Sequence, residues 1–329
     1  MKIAILQGKD GIDRCFTSRH LQQLEQYGEI VLNLVPGSPS VERVKELIAR
    51  ADVAITSWGC PPLSAEILEQ APNLQLVLHA AGTVKPIVTP ELWERGIRVT
   101  NGTEPLGKGV AETALGFLIS ALKDMWRLAA RTRSGEWGGI TGQVRELYDL
   151  KVGVVSAGRA GRHLVSLLQA FDVEVLVYDP MLSAEEVSKL GATKVALEQL
   201  LQEADAISIH APMLPETERM FNKERFALMK DDCILINTAR GTLIDEDDLA
   251  AELRKGRFFA CVDVTNPEPP AADHPLRQLP NVVLTPHIAG AVNNGLQRIG
   301  QYMVEELKLY LEGKPMRGEV RAEQMGILA

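Results

Sequence analysis

The chain has 329 residues, of which 46% are hydrophobic and 24% are charged, a composition typical of a globular protein with about two domains. Its formal net charge is −8, which argues against a nucleic-acid-binding surface because phosphate recognition needs concentrated lysine and arginine. We therefore expect no nucleic-acid partner.

The cysteines and the N-terminus indicate the compartment. None of the cysteines forms a C-x-x-C pair, and two lie in apolar, strand-like runs; the four are Cys15, Cys60, Cys233 and Cys261. This pattern favours buried thiols in a reducing compartment. The apolar part of MKIAILQGKD is too short for a signal peptide, and no apolar run reaches the length of a membrane span. We expect a cytoplasmic protein with no membrane partner and no metal site.

The first hundred residues alternate between short apolar runs and amphipathic segments. Ser40 precedes a helix with apolar residues at helical spacing, and Thr89 with Pro90 predicts a capped helix start. The predicted strands are residues 3–6, 30–35, 53–56, 74–78 and 97–100. This alternation predicts an α/β unit with parallel strands.

Residues 101–150 contain a predicted hinge, a long helix and an irregular arm. Residues 101–108 are glycine-rich and polar, which favours a hinge, and residues 110–131 predict one long helix buried on more than one side. Residues 133–142 predict an arm that contains Trp137. An exposed Trp there marks either an interface or a side chain packed against its own domain.

Residues 151–179, KVGVVSAGRAGRHLVSLLQAFDVEVLVYD, predict a strand, a tight turn, a helix and a second strand. The turn from Ser156 to Gly161 resembles the dinucleotide fingerprint G-x-G-x-x-G, with Ser156 in place of the first glycine. A pyrophosphate is expected on its backbone N–H groups, contributed by Ser156, Gly158, Arg159, Ala160 and Gly161. Asp179 is placed to accept from the adenosine ribose, and Pro180 follows without a basic residue, so NAD is favoured over NADP.

The remaining segments continue the alternation of strands and helices. Ser183 and Glu186 predict a capping box, and residues 246–255 and 293–311 predict helices. Strands are expected at residues 206–210, 233–237, 260–264 and 282–284. The second doubly wound domain therefore covers residues 101–290.

Three chemically active side chains fall directly after predicted strands, where open parallel sheets bind ligands. They are Arg240, Glu268 and His287. His287 is suited to exchange a hydroxyl proton, Glu268 to hold its other nitrogen, and Arg240 to bind a substrate carboxylate and polarise its carbonyl. Taken singly, His287 could be only a helix cap, Arg240 could pair with Asp245, and Glu268 could be a solvated loop carboxylate.

Three segments resemble motifs of the D-isomer-specific 2-hydroxyacid dehydrogenase family. LMKDDCILINTARGTLIDEDDLAAEL contains Arg240, DVTNPEPP contains Glu268, and LTPHIAG contains His287, each at the family's catalytic position. The resemblance implies an α/β fold of two Rossmann-like or flavodoxin-like doubly wound parallel-sheet domains with the cleft between them. Residues 1–100 plus 291–329 would bind substrate and residues 101–290 would bind NAD, with homodimer formation through the NAD-binding domain.

The same resemblance implies further site residues. Residues 110–112 would lie at the cleft, and the cofactor pocket would include His210, Ala211, Pro212, Thr238, Ala239, Asp263, His287 and Gly290, with Asp263 on the nicotinamide amide. The substrate loop would include Ala81, Gly82, Thr83 and Lys85, beside Arg240 and His287. This loop lacks the family's G-x-G-x-D-N form, and Lys85 would favour a more acidic substrate unless it is simply solvated.

The reaction implied is hydride transfer between NAD(H) and a D-2-hydroxy acid or 2-keto acid. Glu268 speaks against the formate dehydrogenase branch. Many phosphoglycerate dehydrogenases carry a long C-terminal regulatory domain, for which we expect no room in this chain, but short forms exist, so the length only lowers the odds of that branch. A phosphite dehydrogenase uses a similar Arg, Glu and His set. Corepressors that sense NAD(H) keep the same residues. Both alternatives stay open at this stage, and the substrate side chain is not identified.

Overall fold

The computed structural model describes residues 1–137 and 144–326. Its strands are β1 Lys2–Ile5, β2 Glu29–Leu32, β3 Val53–Thr56, β4 Leu76–His79, β5 Arg98–Asn101, β6 Tyr148–Val155, β7 Asp172–Tyr178, β8 Thr193–Lys194, β9 Ala206–Ile209, β10 Ile234–Asn237, β11 Phe259–Val262, β12 Val282–Leu284 and β13 Glu319–Val320. Its α-helices are α1 Lys9–Cys15, α2 Ser18–Glu25, α3 Val41–Ile48, α4 Ala65–Leu68, α5 Pro90–Glu94, α6 Thr103–Leu122, α7 Met125–Arg133, α8 Arg159–Leu168, α9 Ala184–Lys189, α10 Leu197–Glu203, α11 Lys223–Phe226, α12 Glu246–Arg254 and α13 Gly295–Leu311.

The chain divides into two compact units. Unit 1 contains residues Met1–Leu106 and Ala291–Ala329, and unit 2 contains Gly107–Gly290, so that the boundary falls within α6. Each unit is built on one sheet, and the predicted class of two parallel-sheet α/β domains is confirmed. No helix in the described residues is long and apolar enough to cross a membrane.

Unit 1 has a sheet of order β13-β5-β4-β3-β1-β2, in which β1 to β5 are parallel and β13 is antiparallel to β5. The order 2-1-3-4-5 is flavodoxin-like. Ile3 and Ile5 of β1 face one buried cluster and Ala4 faces the other, as alternating side chains must when both faces are covered. The predicted caps are confirmed, since Ser40 accepts from Arg43 N and Thr89 accepts from Leu92 N.

A buried carboxylate fixes the C-terminal strand of unit 1. Glu306 of α13 is fully buried and accepts from Thr100 Oγ1 at 2.8 Å, Arg317 N at 3.0 Å and Gly318 N at 2.9 Å. These bonds satisfy the buried charge and attach the segment before β13 to β5.

Unit 2 has an all-parallel sheet of order β12-β11-β10-β9-β6-β7-β8. Its order 3-2-1-4-5-6, extended by β12, is that of a Rossmann fold. Val154 of β6 lies in one buried cluster and Val155 in the other, so helices cover both faces. The capping box at Ser183 and Glu186 is confirmed.

The boundary between the two units falls inside the predicted hinge at residues 101–108, but this segment is not an irregular loop, because α6 already begins at Thr103. Movement at this place stays a prediction. Asn101 Oδ1 accepts from Thr103 N at 3.2 Å and so caps the first turn. Two glycines at the start of α6 also permit close packing. A Cβ on Gly107 would lie 3.0 Å from Ala160 N, and a Cβ on Gly109 would lie 3.3 Å from Gly290 O.

The single helix predicted for residues 110–131 is wrong, because the helix is broken at Asp124, whose φ is +50°. Asp is one of the few non-glycine residues that enter the left-handed region at moderate cost. Helix α7, which follows, buries none of its residues, so the prediction of burial on several sides holds only for α6. Trp137 is 90% exposed, and the rest of the predicted arm, residues 138–142, lies outside the described residues.

Candidate active site

His287 and Glu268 form the centre of the candidate active site in unit 2. His287 Nδ1 lies 2.7 Å from Glu268 Oε2, and the two side chains are 52% and 37% exposed. Glu268 Oε1 accepts from Thr265 N at 3.1 Å, which orients the carboxylate. An ionised Glu268 selects the imidazole tautomer with the proton on Nδ1 and leaves Nε2 for proton exchange.

Asp263 holds the backbone that presents His287. The Asp263 carboxylate is buried, at 1% exposure, and accepts from Thr285 Oγ1, Ile288 N and Ala289 N. His287 N also donates to Asp263 O at 2.9 Å. These bonds maintain His287 in the left-handed region, at φ +53°, which is costly for a non-glycine residue. Contact of Asp263 with the nicotinamide amide stays a prediction.

Arg240 follows β10, the neighbour of β11, and so lies at the same edge of the sheet as the Glu268 loop. A Cβ on Gly241 would lie 2.2 Å from Thr265 C, so only glycine lets the segment after Arg240 approach the Glu268 loop this closely. Arg240 Nη1 donates to Ala239 O at 2.7 Å. No carboxylate lies within ion-pair distance of Arg240 in the described residues, and Asp245, its suggested partner, pairs with Arg219 at 3.4 Å instead. The fork of Arg240 therefore retains donors for a ligand.

The glycine turn after β6 has the three properties that a dinucleotide fingerprint needs. Ser156 has φ +72°, the conformation for which glycine is preferred. A Cβ on Gly158 would meet nothing within 4 Å, so the backbone at the start of α8 is open to close approach. A Cβ on Gly161 would lie 2.2 Å from Ser156 O, so this glycine is required for the turn to pack on α8. The intervening Arg159 and Ala160 form the first turn of α8.

Asp179 lies after β7, as the fingerprint requires, but its oxygens already accept three bonds. Oδ2 accepts from Ala157 N at 2.9 Å and Ser156 Oγ at 3.3 Å, and Oδ1 accepts from Met181 N at 2.8 Å. The backbone turn through Pro180 is closed by the last of these bonds. A carboxylate offers about four acceptor sites, so one remains for a ribose hydroxyl. A 2′-phosphate would face this negative charge, in agreement with NAD.

Two buried polar atoms lie at the ends of the neighbouring strands β9 and β10. His210 Nδ1 and Thr238 Oγ1 have no hydrogen-bond partner among the described residues, although His210 Nε2 contacts Ser208 Oγ at 2.9 Å. Burial lowers the pKa of His210, which keeps the ring neutral. Such unpaired groups are expected where a bound cofactor completes the hydrogen bonding. The loop after His210 also contains Ala211, which is buried, and Pro212, whose carbonyl accepts from Thr217 Oγ1. The polar groups of unit 2 thus fit a bound dinucleotide.

The predicted substrate loop, residues 80–85, belongs to unit 1 and follows β4. Ala81 is buried, and its carbonyl accepts from Gly102 N at 2.8 Å. Gly82 and Thr83 are half-buried, whereas Lys85 is exposed. His79 holds the loop in place, because its ring contacts both Thr56 Oγ1, at 2.8 Å, and the backbone of Thr83. No motif in the sequence links His79 to this loop.

Comparisons with known proteins agree with this geometry. Residues 115–289 match the family model "D-isomer specific 2-hydroxyacid dehydrogenase, NAD binding domain". The chain is 31% identical over 308 residues to a glyoxylate reductase of Korarchaeum cryptofilum, covering 92% of each protein. It is 32% identical over 293 residues to a D-3-phosphoglycerate dehydrogenase of Methanocaldococcus jannaschii, covering 88% of this chain but only 55% of that protein.

Among solved structures, a phosphoglycerate oxidoreductase from Rhizobium etli superposes with a TM-score of 0.83 at 27% identity, covering 98% of both chains. The resemblance inferred from the three motifs, and with it NAD as the cofactor, is therefore confirmed. This chain belongs to the D-isomer-specific 2-hydroxyacid dehydrogenase family, and its residues 115–289 match the NAD-binding domain of that family.

Proposed function

We propose that this protein interconverts a D-2-hydroxy acid and a 2-keto acid, with His287 as the acid and base, Glu268 as its partner and Arg240 on the substrate carboxylate and carbonyl. The observation that carries the proposal is the 2.7 Å contact between His287 Nδ1 and Glu268 Oε2, which leaves the ring 52% exposed. NAD(H), when bound, supplies or accepts the hydride.

Each residue has a defined task in the direction of reduction. Protonated His287 donates a proton from Nε2 to the carbonyl oxygen as the hydroxyl forms, and Glu268 stabilises the charged ring beforehand. Arg240 holds the carboxylate next to the reacting carbon with paired donors and polarises the carbonyl. In oxidation, neutral His287 takes the same proton back.

We assign substrate binding to residues 1–100 plus 291–329 and cofactor binding to residues 101–290. The match of residues 115–289 to an NAD-binding domain supports the second assignment. The position of Ala81, Gly82, Thr83 and Lys85 after a parallel strand of unit 1 supports the first, because ligands of open sheets bind beyond the carboxyl ends of strands.

We also propose a cytoplasmic homodimer that pairs through unit 2. Unit 2 exposes several large apolar side chains, and three of them are close in sequence: Met125 at 48%, Trp137 at 90% and Tyr148 at 69%. Exposed apolar side chains of this size favour an interaction surface. Light scattering after gel filtration should give twice the monomer mass, and Trp137→Glu should shift the equilibrium to monomer; a monomeric wild-type protein would contradict the proposal.

The test of the reaction is oxidation of NADH by purified protein with glyoxylate, hydroxypyruvate, pyruvate and 3-phosphohydroxypyruvate, repeated with NADPH. Turnover that is lost in His287→Ala would establish the reaction, and the acid with the highest kcat/KM would identify the branch. Bound NADH without turnover on any acid would contradict it. Phosphite with NAD⁺ and binding of partner peptides then distinguish the two alternatives.

A further inference from the structure

A second histidine and carboxylate pair lies in the same unit as the candidate active site. His274 Nε2 is 2.8 Å from Glu246 Oε2, and the two side chains are only 14% and 12% exposed. The approach is close but bent away from the line of the ring N–H bond, since Glu246 Oε2 has no aligned donor among the described residues. No part of the proposed reaction uses this pair.

Glu246 connects two points of the loop that carries Glu268. Its other oxygen, Oε1, accepts from Asn266 N at 2.9 Å, and His274 lies eight residues further along the same loop. Glu268 lies between these two attachments and is itself bound to the loop through Thr265 N at 3.1 Å. The loop is therefore closed on one carboxylate that projects from the start of α12.

We propose that Glu246 is a positioning residue, which together with His274 holds the loop so that Glu268 stays in contact with His287. This inference rests on the proposed function, because it concerns the pair that exchanges the proton. Reacting groups must be held within a fraction of an ångström, and a shift of about 1 Å can cost about a hundredfold in rate. A largely buried anchor on the Glu268 loop is suited to this purpose.

The surroundings of Glu246 make its charge sensitive to pH. The two residues face a polar cavity of about 210 Å³ whose other lining groups with charge are Glu218, Arg219, Asp245 and Asp247. Burial raises the pKa of Glu246, and the Asp247 carboxylate acts in the same direction, whereas Asn266 N–H and His274 lower it. As the pH falls, Glu246 therefore takes up a proton earlier than an ordinary glutamate does, and it then attracts His274 less.

The tautomer of His274 gives a way to separate its two contacts. His274 Nδ1 accepts from Leu276 N at 3.4 Å, so the neutral ring carries its proton on Nε2, towards Glu246. In His274→Gln the amide N–H₂ can replace Nε2 and keep the contact with Glu246. In His274→Asn the shorter side chain can replace Nδ1 and keep the cap, but it does not reach Glu246.

The experiment compares steady-state kinetics and NADH affinity in Glu246→Gln, His274→Gln and His274→Asn. We expect Glu246→Gln and His274→Asn to lower kcat by about tenfold, with the KM for the 2-keto acid and the Kd for NADH changed by less than about twofold. His274→Gln should restore most of the rate. In the pH profile of kcat, the contribution of Glu246 to the acid limb should be absent from Glu246→Gln.

Glu252 provides the matched control. It lies on the same helix, its side chain is 4% exposed, and it pairs with Lys255 and Arg257 away from the Glu268 loop. Glu252→Gln should lower the Tm at least as much as Glu246→Gln does but should leave kcat and its pH profile unchanged. A kcat within twofold of wild type in Glu246→Gln, or equal rates in the two His274 variants, would overturn the proposal.

A measurement that does not depend on catalytic turnover distinguishes the proposed role of Glu246 from the proposed reaction. In protein labelled with ¹⁵N-histidine, the Nδ1 proton of His287 that contacts Glu268 should give a downfield signal. Glu246→Gln should abolish that signal and Glu252→Gln should preserve it. If the wild-type protein reduces no acid, the reaction proposal fails while this measurement still decides the role of Glu246; a signal that persists in both variants would refute that role.

Discussion

His79 in unit 1 and His287 in unit 2 lie at equivalent places in two similar sheets. His79 is the last residue of β4, and His287 follows β12, so both are at the carboxyl ends of parallel strands. His79 is 3% exposed and contacts a hydroxyl, Thr56 Oγ1, at 2.8 Å. The side chain of His287 is 52% exposed and contacts a carboxylate, Glu268 Oε2, at 2.7 Å.

The difference shows that a histidine at a strand end is not, by its position alone, available for proton exchange. Burial lowers the pKa of His79 to about 4, so its ring stays neutral and supports the residue 80–85 loop through the Thr83 backbone. His287 combines a carboxylate partner with access to solvent, as its proposed role in acid and base catalysis requires. We infer that the hydrogen-bond partner and the solvent exposure of the ring distinguish a structural histidine from one that can act as an acid and base.

The largest expected effect is the loss of rate when His287 is removed. His287→Ala should lower kcat by about 10²- to 10⁴-fold, whereas the free energy of unfolding should change by less than about 1 kcal/mol because the side chain is half exposed. Glu268→Gln should lower kcat by a smaller factor. NADH oxidation and urea denaturation measure the two quantities, and a fully active His287→Ala would remove His287 from the mechanism.

The same substitution at His79 should give the opposite result. His79→Ala leaves Thr56 Oγ1 buried without a partner and opens a cavity, so we expect a loss of about 2–4 kcal/mol in the free energy of unfolding. The effect on kcat should be far smaller than that of His287→Ala. Thr56→Val, which removes only the hydroxyl, should cost about 1–3 kcal/mol. Equal stability of His79→Ala and His287→Ala would show that the comparison is wrong.

The burial of His79 should also make the stability of the protein depend on pH. Because the pKa of His79 is lowered in the folded protein, the unfolded chain binds a proton first as the pH falls. The contribution of neutral His79 to stability is thus complete above about pH 6.5 and is lost progressively as the pH falls to about 4. At about pH 4 the loss amounts to roughly 3 kcal/mol in the free energy of unfolding. Denaturation midpoints between pH 4 and 8 should fall less steeply for His79→Gln than for wild type. A slope in His79→Gln equal to that of wild type would contradict this assignment.

Much of the fold was readable from the sequence because its signals are local. The strands at residues 53–56 and 282–284 were predicted with their observed bounds, and the caps at Ser40 and Thr89 follow from the N-terminal helix preferences. The break at Asp124 was missed because nothing near it marks a left-handed residue. The two-residue strand β13 is too short for an alternating pattern, and its pairing with β5 spans more than two hundred residues.

In the candidate site, too, some features were predicted from the sequence and others were not. The rule that ligands bind beyond strand ends selected Glu268 and His287, which the structure brings into contact. The contact between Glu246 and His274 joins residues 28 positions apart and has no motif that announces it. The burial of Asp263 is also invisible in the sequence, because a carboxylate at a strand end looks the same whether it faces a ligand or three N–H and O–H donors.

The smallest expected effects concern backbone strain, which also differs between the two units. Two left-handed non-glycine residues lie within three positions of the carboxyl end of a unit 2 strand: Ser156 at φ +72°, directly after β6, and His287 at φ +53°, three residues after β12. In the described part of unit 1 the left-handed non-glycine residues are Arg50, which follows α3, and Asn293, which lies two residues before α13. The strain at His287 accompanies its proposed chemistry, but Ser156 offers no reacting group, so its strain should be removable.

Ser156→Gly should therefore raise the free energy of unfolding by about 1 kcal/mol, since glycine accepts this conformation without the clash of a Cβ. It should also strengthen NADH binding by about fivefold, because Asp179 loses one competing donor, a bond of about 1 kcal/mol. Ser156→Ala separates the two effects: it removes the hydroxyl and should gain affinity, but it keeps the Cβ and should gain no stability. Denaturant midpoints and NADH fluorescence titrations measure both quantities. If Ser156→Gly weakens NADH binding, the serine hydroxyl serves the cofactor directly and the strain at both left-handed positions is functional.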